Sequence, residues 1–223
     1  MNRKPDSRAK ESTIRRRADL RPRSRGDQAS SNATRASILD AAARLIADEG
    51  YNACTMRNVA DRVQIQAGSL YYHFSSKDEI IEEIMNSGIV LLLDKVQREL
   101  AELPPDASFA EQLKVAISTH ISCMLSEGTA FLHVYEYVPP VLKRRSRAMR
   151  EKYASLWVRI FEQGIAAGDV NADVDLSILI PYLLGGINRI PEWFRRNKFA
   201  MSDVVAMATD TLLHGIMKVH VIA

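Results

Sequence analysis

The sequence predicts an all-α chain of about nine helices. Three observations carry this prediction. Apolar residues recur at spacings of three and four, the signature of an amphipathic helix face. No stretch alternates strictly between apolar and polar residues, as a half-buried strand would. Capping residues and Gly or Pro stops bracket the periodic segments. With 223 residues, 47% of them apolar, the chain has material for one sizeable domain, or for a small one joined to a larger one.

Taken in order, the first segment is not periodic. Residues 1–33 hold ten Lys/Arg and four Asp/Glu with almost no large apolar side chain, the composition of a disordered basic arm. The remainder carries 20 basic and 23 acidic residues, so the net charge of +3 comes entirely from this arm. Such an arm attracts phosphates without sequence preference. A solubilising leader is the other open reading. From Thr34 the pattern changes. Ile38, Ala42, Leu45 and Ile46 form one helical face, with Thr34 or Asn32 as cap and Gly50 after the end. A short second helix follows, capped by Thr55, with Met56, Val59, Ala60 and Val63 on one face. A third runs from about Gln66–Ala67 to Phe74. Ser76 and Glu79 make an S-x-x-E capping box for a fourth. That helix passes Ile80, Ile84 and Leu91 and stops near Ala101, before Pro104-Pro105.

The rest reads as helix. "FAEQLKVAISTHISCML" is a fifth, "AFLHVYEYV" a sixth ended by Pro139-Pro140, and a long seventh runs from about Leu142 to Ala167, closed by Gly168. The last two, about 174–195 and 202–219, are apolar nearly all round. A terminal pair of that kind must be covered on both faces. Its own domain is one cover, and a second copy of the chain is the other, predicting a homodimer through the last two helices. A hairpin buried within a monomer stays open as the alternative. The organisation expected is therefore an arm over 1–33, a first domain over 34–80 and a second over 81–223.

Several classes are excluded. The longest apolar run, "LSILIPYLLGGI", contains a proline and is too short to span a bilayer, and no early apolar run resembles a signal peptide. Cys54 and Cys123 form no CxxC pair, which fits a reducing compartment. A cytoplasmic protein with no membrane partner is expected. No paired-carboxylate motif, phosphate loop, nucleophile elbow or HExxH is present, so no catalytic residue or cofactor is expected. His120 with Cys123 and His133 with Glu136 stand at i, i+3 and would together suit a metal. Polar residues lining a pocket are the commoner use of such pairs, so no metal is expected.

The chemistry concentrates in "AGSLYYHFSSKDE", Ala67 to Glu79. Two short helices joined by a tight turn make a helix-turn-helix. On a wheel of 100° per residue, Leu70 and Phe74 share one face and should pack on Val59 and Val63. Tyr71, Tyr72 and His73 fan out over the other directions. A helix this short cannot bury them all. A DNA backbone with its thymine methyls is a partner that accepts rings and hydroxyls. Lys77 stands in the first turn of the next helix, where it opposes the dipole unless a phosphate is close.

"TMRNVADRVQIQAGSLYYHFSSKDEI", Thr55 to Ile80, resembles the DNA-binding signature of the TetR family of bacterial transcription regulators. Thr55, Val59, Ala60, Gly68, Leu70, Tyr71, His73, Phe74 and Lys77 carry the match, and "ILDAAARLIADEGY" resembles the family's first helix. The resemblance implies that the third helix reads DNA. Gln66, Ala67 and Ser69 would approach base edges. Tyr71, Tyr72 and His73 would hold phosphates or sugar edges. Thr55 and Arg57 would clamp the backbone across the groove, and Lys77 would take a phosphate. One departure stands out: where the family has glycine in the turn, this chain has Gln64.

The resemblance also implies a homodimer on palindromic double-stranded operator DNA, released by a small hydrophobic effector in the second domain. "LIPYLLGGINRIPEWFR" is similar to the corresponding helix of members that sense acyl-CoA thioesters in fatty-acid or steroid breakdown. Gly186, Asn188, Trp193 and Phe194 carry that similarity, with dimer packing as the alternative. Met124, Phe131, Tyr135, Tyr137 and Trp157 supply apolar and aromatic lining for a bulky ligand, or simply a core. "KRRSRAMR", with Arg144 and Arg145, is either a solvated face or a basic rim for coenzyme A phosphates. The leading reading is a ligand-responsive repressor. An effector-independent or activating DNA-binding protein and an all-helical protein-interaction module are its rivals.

Overall fold

The computed structural model describes residues 25–126, 134–135 and 137–216. Within them every regular element is a helix and no strand occurs. The elements are α1 (Arg25–Glu49), a 3₁₀ turn (Tyr51–Ala53), α2 (Met56–Val63), α3 (Ala67–His73), α4 (Lys77–Ala101) and α5 (Phe109–Leu125). They continue as α6 (Pro140–Arg145), α7 (Arg147–Ala167), α8 (Leu176–Asn188), α9 (Ile190–Trp193) and α10 (Met201–Ile216). Among the described residues no helix is long and apolar enough to cross a membrane.

Local chemistry explains the boundaries. Thr55 Oγ1 accepts the Asn58 N–H at 3.1 Å and starts α2, as its position predicts. Ser76 Oγ accepts the Glu79 N–H at 3.2 Å and starts α4. The return half of that box is displaced by one residue, because Glu79 Oε2 accepts the Ser75 N–H at 2.7 Å and the Ser75 hydroxyl at 2.6 Å. Ser108 and Glu111 form a complete capping box ahead of α5, which the reading of the sequence missed. Gly168 closes α7 in the left-handed conformation, as expected.

Three expectations are corrected. Helix α1 begins at Arg25, so Asn32 and Thr34 lie inside it rather than capping it, and residues 25–33 are helical instead of disordered. The stretch holds no proline, and the nearest one upstream is Pro22. Residues 1–24 lie outside the described residues. The long seventh helix divides at Ser146 into α6 and α7. The eighth divides at Arg189: Pro191 has no N–H to offer the Ile187 carbonyl, so the chain restarts as α9 with that proline in its first turn. Of the expected sixth helix, Val134 and Tyr135 are helical. Phe131, His133 and Glu136 lie outside the described residues.

Two apolar cores follow. The first gathers Ile38, Leu45, Ile46, Val59, Leu70 and Phe74 with Ile80, Ile81, Ile84 and Met85 of α4. Val134, Val138 and Leu142, far along the sequence, complete it. The second centres on Trp157, Phe161, Ile117, Ile121 and Leu113, with Leu92 and Val96 of α4. Helix α4 is thus shared between the cores along its axis of about 37 Å. The packing of α5 on α7 depends on Gly164. A Cβ there would lie 2.6 Å from Phe109 Cδ2 and 2.8 Å from Val170 Cγ2.

Candidate nucleic-acid interface and effector cavity

Helix α3 is seven residues long, and its phase is what the wheel predicts. Leu70 and Phe74 are fully buried and anchor it to the first core. Tyr71 and Tyr72 are 57% and 60% exposed. His73 is half-buried, its ring edge-on to Tyr72 with centroids 5.3 Å apart. Gln66, Ala67 and Ser69 are exposed at the N-terminal end. Gln66 occupies the N-cap position without a side-chain capping bond, which leaves its amide for another partner. Gly68 has nothing within 4 Å of where a Cβ would sit. A helical glycine costs about 1 kcal/mol relative to alanine, and nothing in the chain's own packing calls for it.

On α2, Arg57 is almost fully exposed and pairs loosely with Asp61 at 3.9 Å, while Thr55 is exposed beside it. Gln64 sits between α2 and α3 at φ 60°, ψ 40°. It is the one described non-glycine residue with positive φ, so the glutamine that replaces the expected glycine adopts the glycine-like conformation. The turn is closed by main-chain bonds, Gln64 N–H to Asp61 O at 3.2 Å and Ile65 N–H to Ala60 O at 3.0 Å. Lys77 has an internal partner that its sequence position did not reveal. Its Nζ donates to the Tyr51 carbonyl at 2.9 Å and lies 3.6 Å from the centre of the Tyr51 ring. Lys77 therefore ties the start of α4 to the 3₁₀ turn that follows α1, and the remaining N–H groups of its ammonium are the ones a phosphate would meet.

A cavity of about 1140 Å³ opens between α4, α5, α7 and α8. Met85, Ile89, Leu92, Met124, Ala154, Val158, Ile180 and Leu184 give it apolar walls. Tyr135, Tyr137, Arg144, Arg147 and Arg150 stand along another wall. Lys143 and Arg150 both lie over the Tyr135 ring, at 4.6 and 5.0 Å. Arg147 pairs with Glu151 at 2.7 Å, and Arg189 pairs with Glu192.

The deep wall carries a buried polar cluster. His120 is 1% exposed, yet both its ring nitrogens are bonded. Nδ1 meets the Tyr153 hydroxyl at 2.8 Å, and Nε2 meets Asn188 Oδ1 at 3.0 Å. Burial lowers the His120 pKa to about 4, against a small opposing effect from Asn188, so the imidazole is neutral at physiological pH. Burial likewise pushes the Tyr153 phenol up, so it stays protonated. Trp157 packs edge-on to Tyr153 with ring centroids 6.2 Å apart, and its buried Nε1 has no hydrogen-bond partner among the described residues.

Of the residues expected at the effector site, Met124, Tyr135, Arg144 and Asn188 line this cavity. Three others do not. Trp157 is fully buried in the second core, packed edge-on to Tyr153 and His120, because its ring is the largest apolar group on the inner face of α7. Trp193 lies on the surface against Phe199. Arg145 turns to α4 instead, 3.7 Å from Glu82 and 3.9 Å from Asp78. Phe131 lies outside the described residues. His120, considered in the sequence only as a metal ligand, is the polar centre of the cavity wall. Among the described residues no group of three His, Cys, Asp or Glu side chains could hold a metal.

Comparison with known proteins agrees with both halves of this architecture. The profile of bacterial regulatory proteins of the tetR family matches residues 38–84. The profile of the tetracyclin repressor-like C-terminal domain matches residues 106–216. The HTH-type transcriptional repressor KstR2 of Rhodococcus jostii (strain RHA1) is 26% identical over 198 residues, covering 87% of this chain and 96% of the relative. The fatty acid metabolism regulator protein of Bacillus subtilis (strain 168) is 22% identical over 179 residues, covering 78% and 90%. The crystal structure of AibR in complex with isovaleryl coenzyme A and operator DNA superposes with a TM-score of 0.65 at 22% identity, covering 82% of this chain and 98% of AibR. With its helix-turn-helix and its helical second domain both matched, the chain belongs to the TetR family of DNA-binding transcriptional regulators.

Proposed function

We propose that this regulator binds a palindromic operator as a homodimer and is released by a hydrophobic effector, an acyl-CoA thioester of lipid or steroid catabolism. The observation that carries the DNA half is the split of α3. Leu70 and Phe74 are buried while Gln66, Ala67, Ser69, Tyr71 and Tyr72 face out as one surface. Gln66, Ala67 and Ser69 reach base edges, and Tyr71, Tyr72, His73, Thr55, Arg57 and Lys77 hold the backbone. The effector half rests on the cavity. Its volume is slightly above the usual range for ligand sites and so has room for a bulky one, its walls are largely apolar, and Arg144, Arg147 and Arg150 stand beside it to meet phosphate. The name and complex of the relatives cited above favour the same ligand class. The protein acts in the bacterial cytoplasm, on nucleoid DNA.

The dimer reading is supported by what α8 and α10 leave uncovered. Ile178 and Tyr182 are 68% and 77% exposed on one face of α8, and Gly185 and Gly186 continue that face with open space around them. Met207 is 69% exposed on α10. An exposed apolar stripe interrupted by glycines suits a second copy of the same stripe.

Fluorescence anisotropy against DNA from upstream of the protein's own gene tests the whole reading. Binding should weaken steeply as salt rises, and palmitoyl-CoA should release the DNA. A flat salt response, or binding that palmitoyl-CoA leaves unchanged, defeats the corresponding half. Light scattering should give twice the chain mass, and a monomer would remove the dimer.

A further inference from the structure

The buried cluster on the cavity wall has a direction. The Asn188 amide oxygen can only accept, so His120 Nε2 donates to it, Nδ1 of the neutral ring accepts, and the group that supplies a proton there is the Tyr153 hydroxyl. It donates to His120 Nδ1 at 2.8 Å. A neutral imidazole that accepts at Nδ1 carries its proton on Nε2. Nε2–H then donates to Asn188 Oδ1 at 3.0 Å. This fixes which end of the Asn188 amide is spent. Asn188 lines the cavity and is exposed to it, and its Nδ2 makes no bond to the described residues.

We propose that Asn188 Nδ2 is a pre-aimed hydrogen-bond donor that reads a carbonyl oxygen on the bound effector, with His120 as the residue that positions it. The inference rests on the effector reading above and deepens it. An apolar cavity alone accepts any greasy ligand of suitable size, whereas a fixed neutral donor selects a ligand with an uncharged acceptor at one place. The thioester carbonyl of an acyl-CoA is such an acceptor. The amide is uncharged, so it rewards a carbonyl without demanding a carboxylate. Its orientation is already set, so little freedom is lost when the ligand arrives.

The polarity also says what each member does. Tyr153 and His120 line the cavity, but their polar groups are spent within the cluster: the Tyr153 hydroxyl holds His120 in one tautomer. His120 in turn holds the amide. Of the three, only Asn188 has a polar group left to offer the effector. Removing Asn188 should therefore erase discrimination between ligands, while removing His120 should blur it.

The test uses the full chain and two probes that differ at one group. Palmitoyl-CoA has a thioester carbonyl, and S-hexadecyl-CoA has a methylene in its place. By titration calorimetry the first should bind about tenfold more tightly, the worth of one good neutral hydrogen bond. Asn188→Leu should bring that ratio to about one. His120→Phe should reduce the ratio to an intermediate value. In ¹⁵N-histidine spectra of the unliganded chain, His120 should carry its proton on Nε2. A ratio near one in the unaltered chain, or a ratio that survives Asn188→Leu, overturns the proposal and leaves the acyl-CoA reading standing, because both probes bind. If neither probe binds, the acyl-CoA reading fails instead. The unliganded spectrum then decides the donor: a proton on Nδ1 overturns it, and a proton on Nε2 upholds it.

Discussion

Replacing Gln64 with glycine tests how the DNA-reading helix is aimed. Gln64 holds φ 60° and ψ 40°, where an L side chain crowds the following carbonyl at about 1–2 kcal/mol. Glycine removes that strain but widens the unfolded ensemble, which returns about 0.4–1 kcal/mol. Taken at the midpoints of those ranges, the balance for Gln64→Gly is a stabilisation of about 0.8 kcal/mol. The two bonds closing the turn, Gln64 N–H to Asp61 O and Ile65 N–H to Ala60 O, are both main-chain and survive the change. For a chain of this size the melting temperature should rise by about 1–4 °C. Gln64→Val is the opposing control, because a β-branched residue is least tolerant of positive φ, and its melting temperature should fall. Thermal unfolding followed by circular dichroism reads both, with operator affinity measured alongside. Affinity should stay within about twofold in Gln64→Gly, since the backbone path is kept. A glycine variant that melts lower would show that the glutamine side chain offsets its own strain. That result refutes the reasoning, as does a large loss of affinity at unchanged stability.

Tyr72→Ala should weaken binding to all DNA sequences alike, whereas Gln66→Ala should change sequence preference in a binding-site selection. Gly68→Ala should raise the melting temperature, because the added methyl meets open space in a helix, yet it should weaken operator binding if DNA approaches there. His120 makes stability depend on pH with a definite sign. Its folded pKa of about 4 lies below the unfolded 6.5, so the unfolded chain binds the proton first as pH falls. Stability contributed there is intact above pH 6.5 and is lost between 6.5 and 4, on the order of 2 kcal/mol by pH 5. Urea midpoints of the unaltered chain and His120→Phe should converge as pH drops, and parallel curves would count against it. Arg144→Ala should reduce palmitoyl-CoA affinity. Arg145→Ala should not, and should lower stability by less than about 1 kcal/mol, since its pairs with Asp78 and Glu82 are partly solvated.

The DNA-reading half was legible because its signals are local. Leu70 and Phe74 stand one turn apart, Thr55 and Ser76 cap the helices they precede, and Gln64 marks the turn by departing from glycine. The cavity was legible only in part. Met124, Tyr135 and Asn188 were named for their type, and any face of their helices could have been the inner one. What failed was pairing across long separations. His120 and Asn188 are 68 residues apart and His120 and Tyr153 are 33 apart, so no spacing rule joins them. Lys77 and Tyr51, 26 apart, escaped for the same reason. Trp157 and Trp193 illustrate the ambiguity of a large ring, one becoming core and the other surface. Ser146 and Arg189 were missed as helix breaks because neither is a glycine, and Pro191 was passed over as an interior residue.

Helix α6 is under two turns long and places consecutive arginines on different neighbours. Arg144 lies on the cavity wall, and Arg145 lies beside Asp78 and Glu82 in the first turns of α4, next to Lys77. The one short helix therefore reaches both the cavity and the start of α4. If effector lowers DNA affinity by a given factor, DNA must lower effector affinity by the same factor, and α6 is an element whose side chains touch both ends of that exchange.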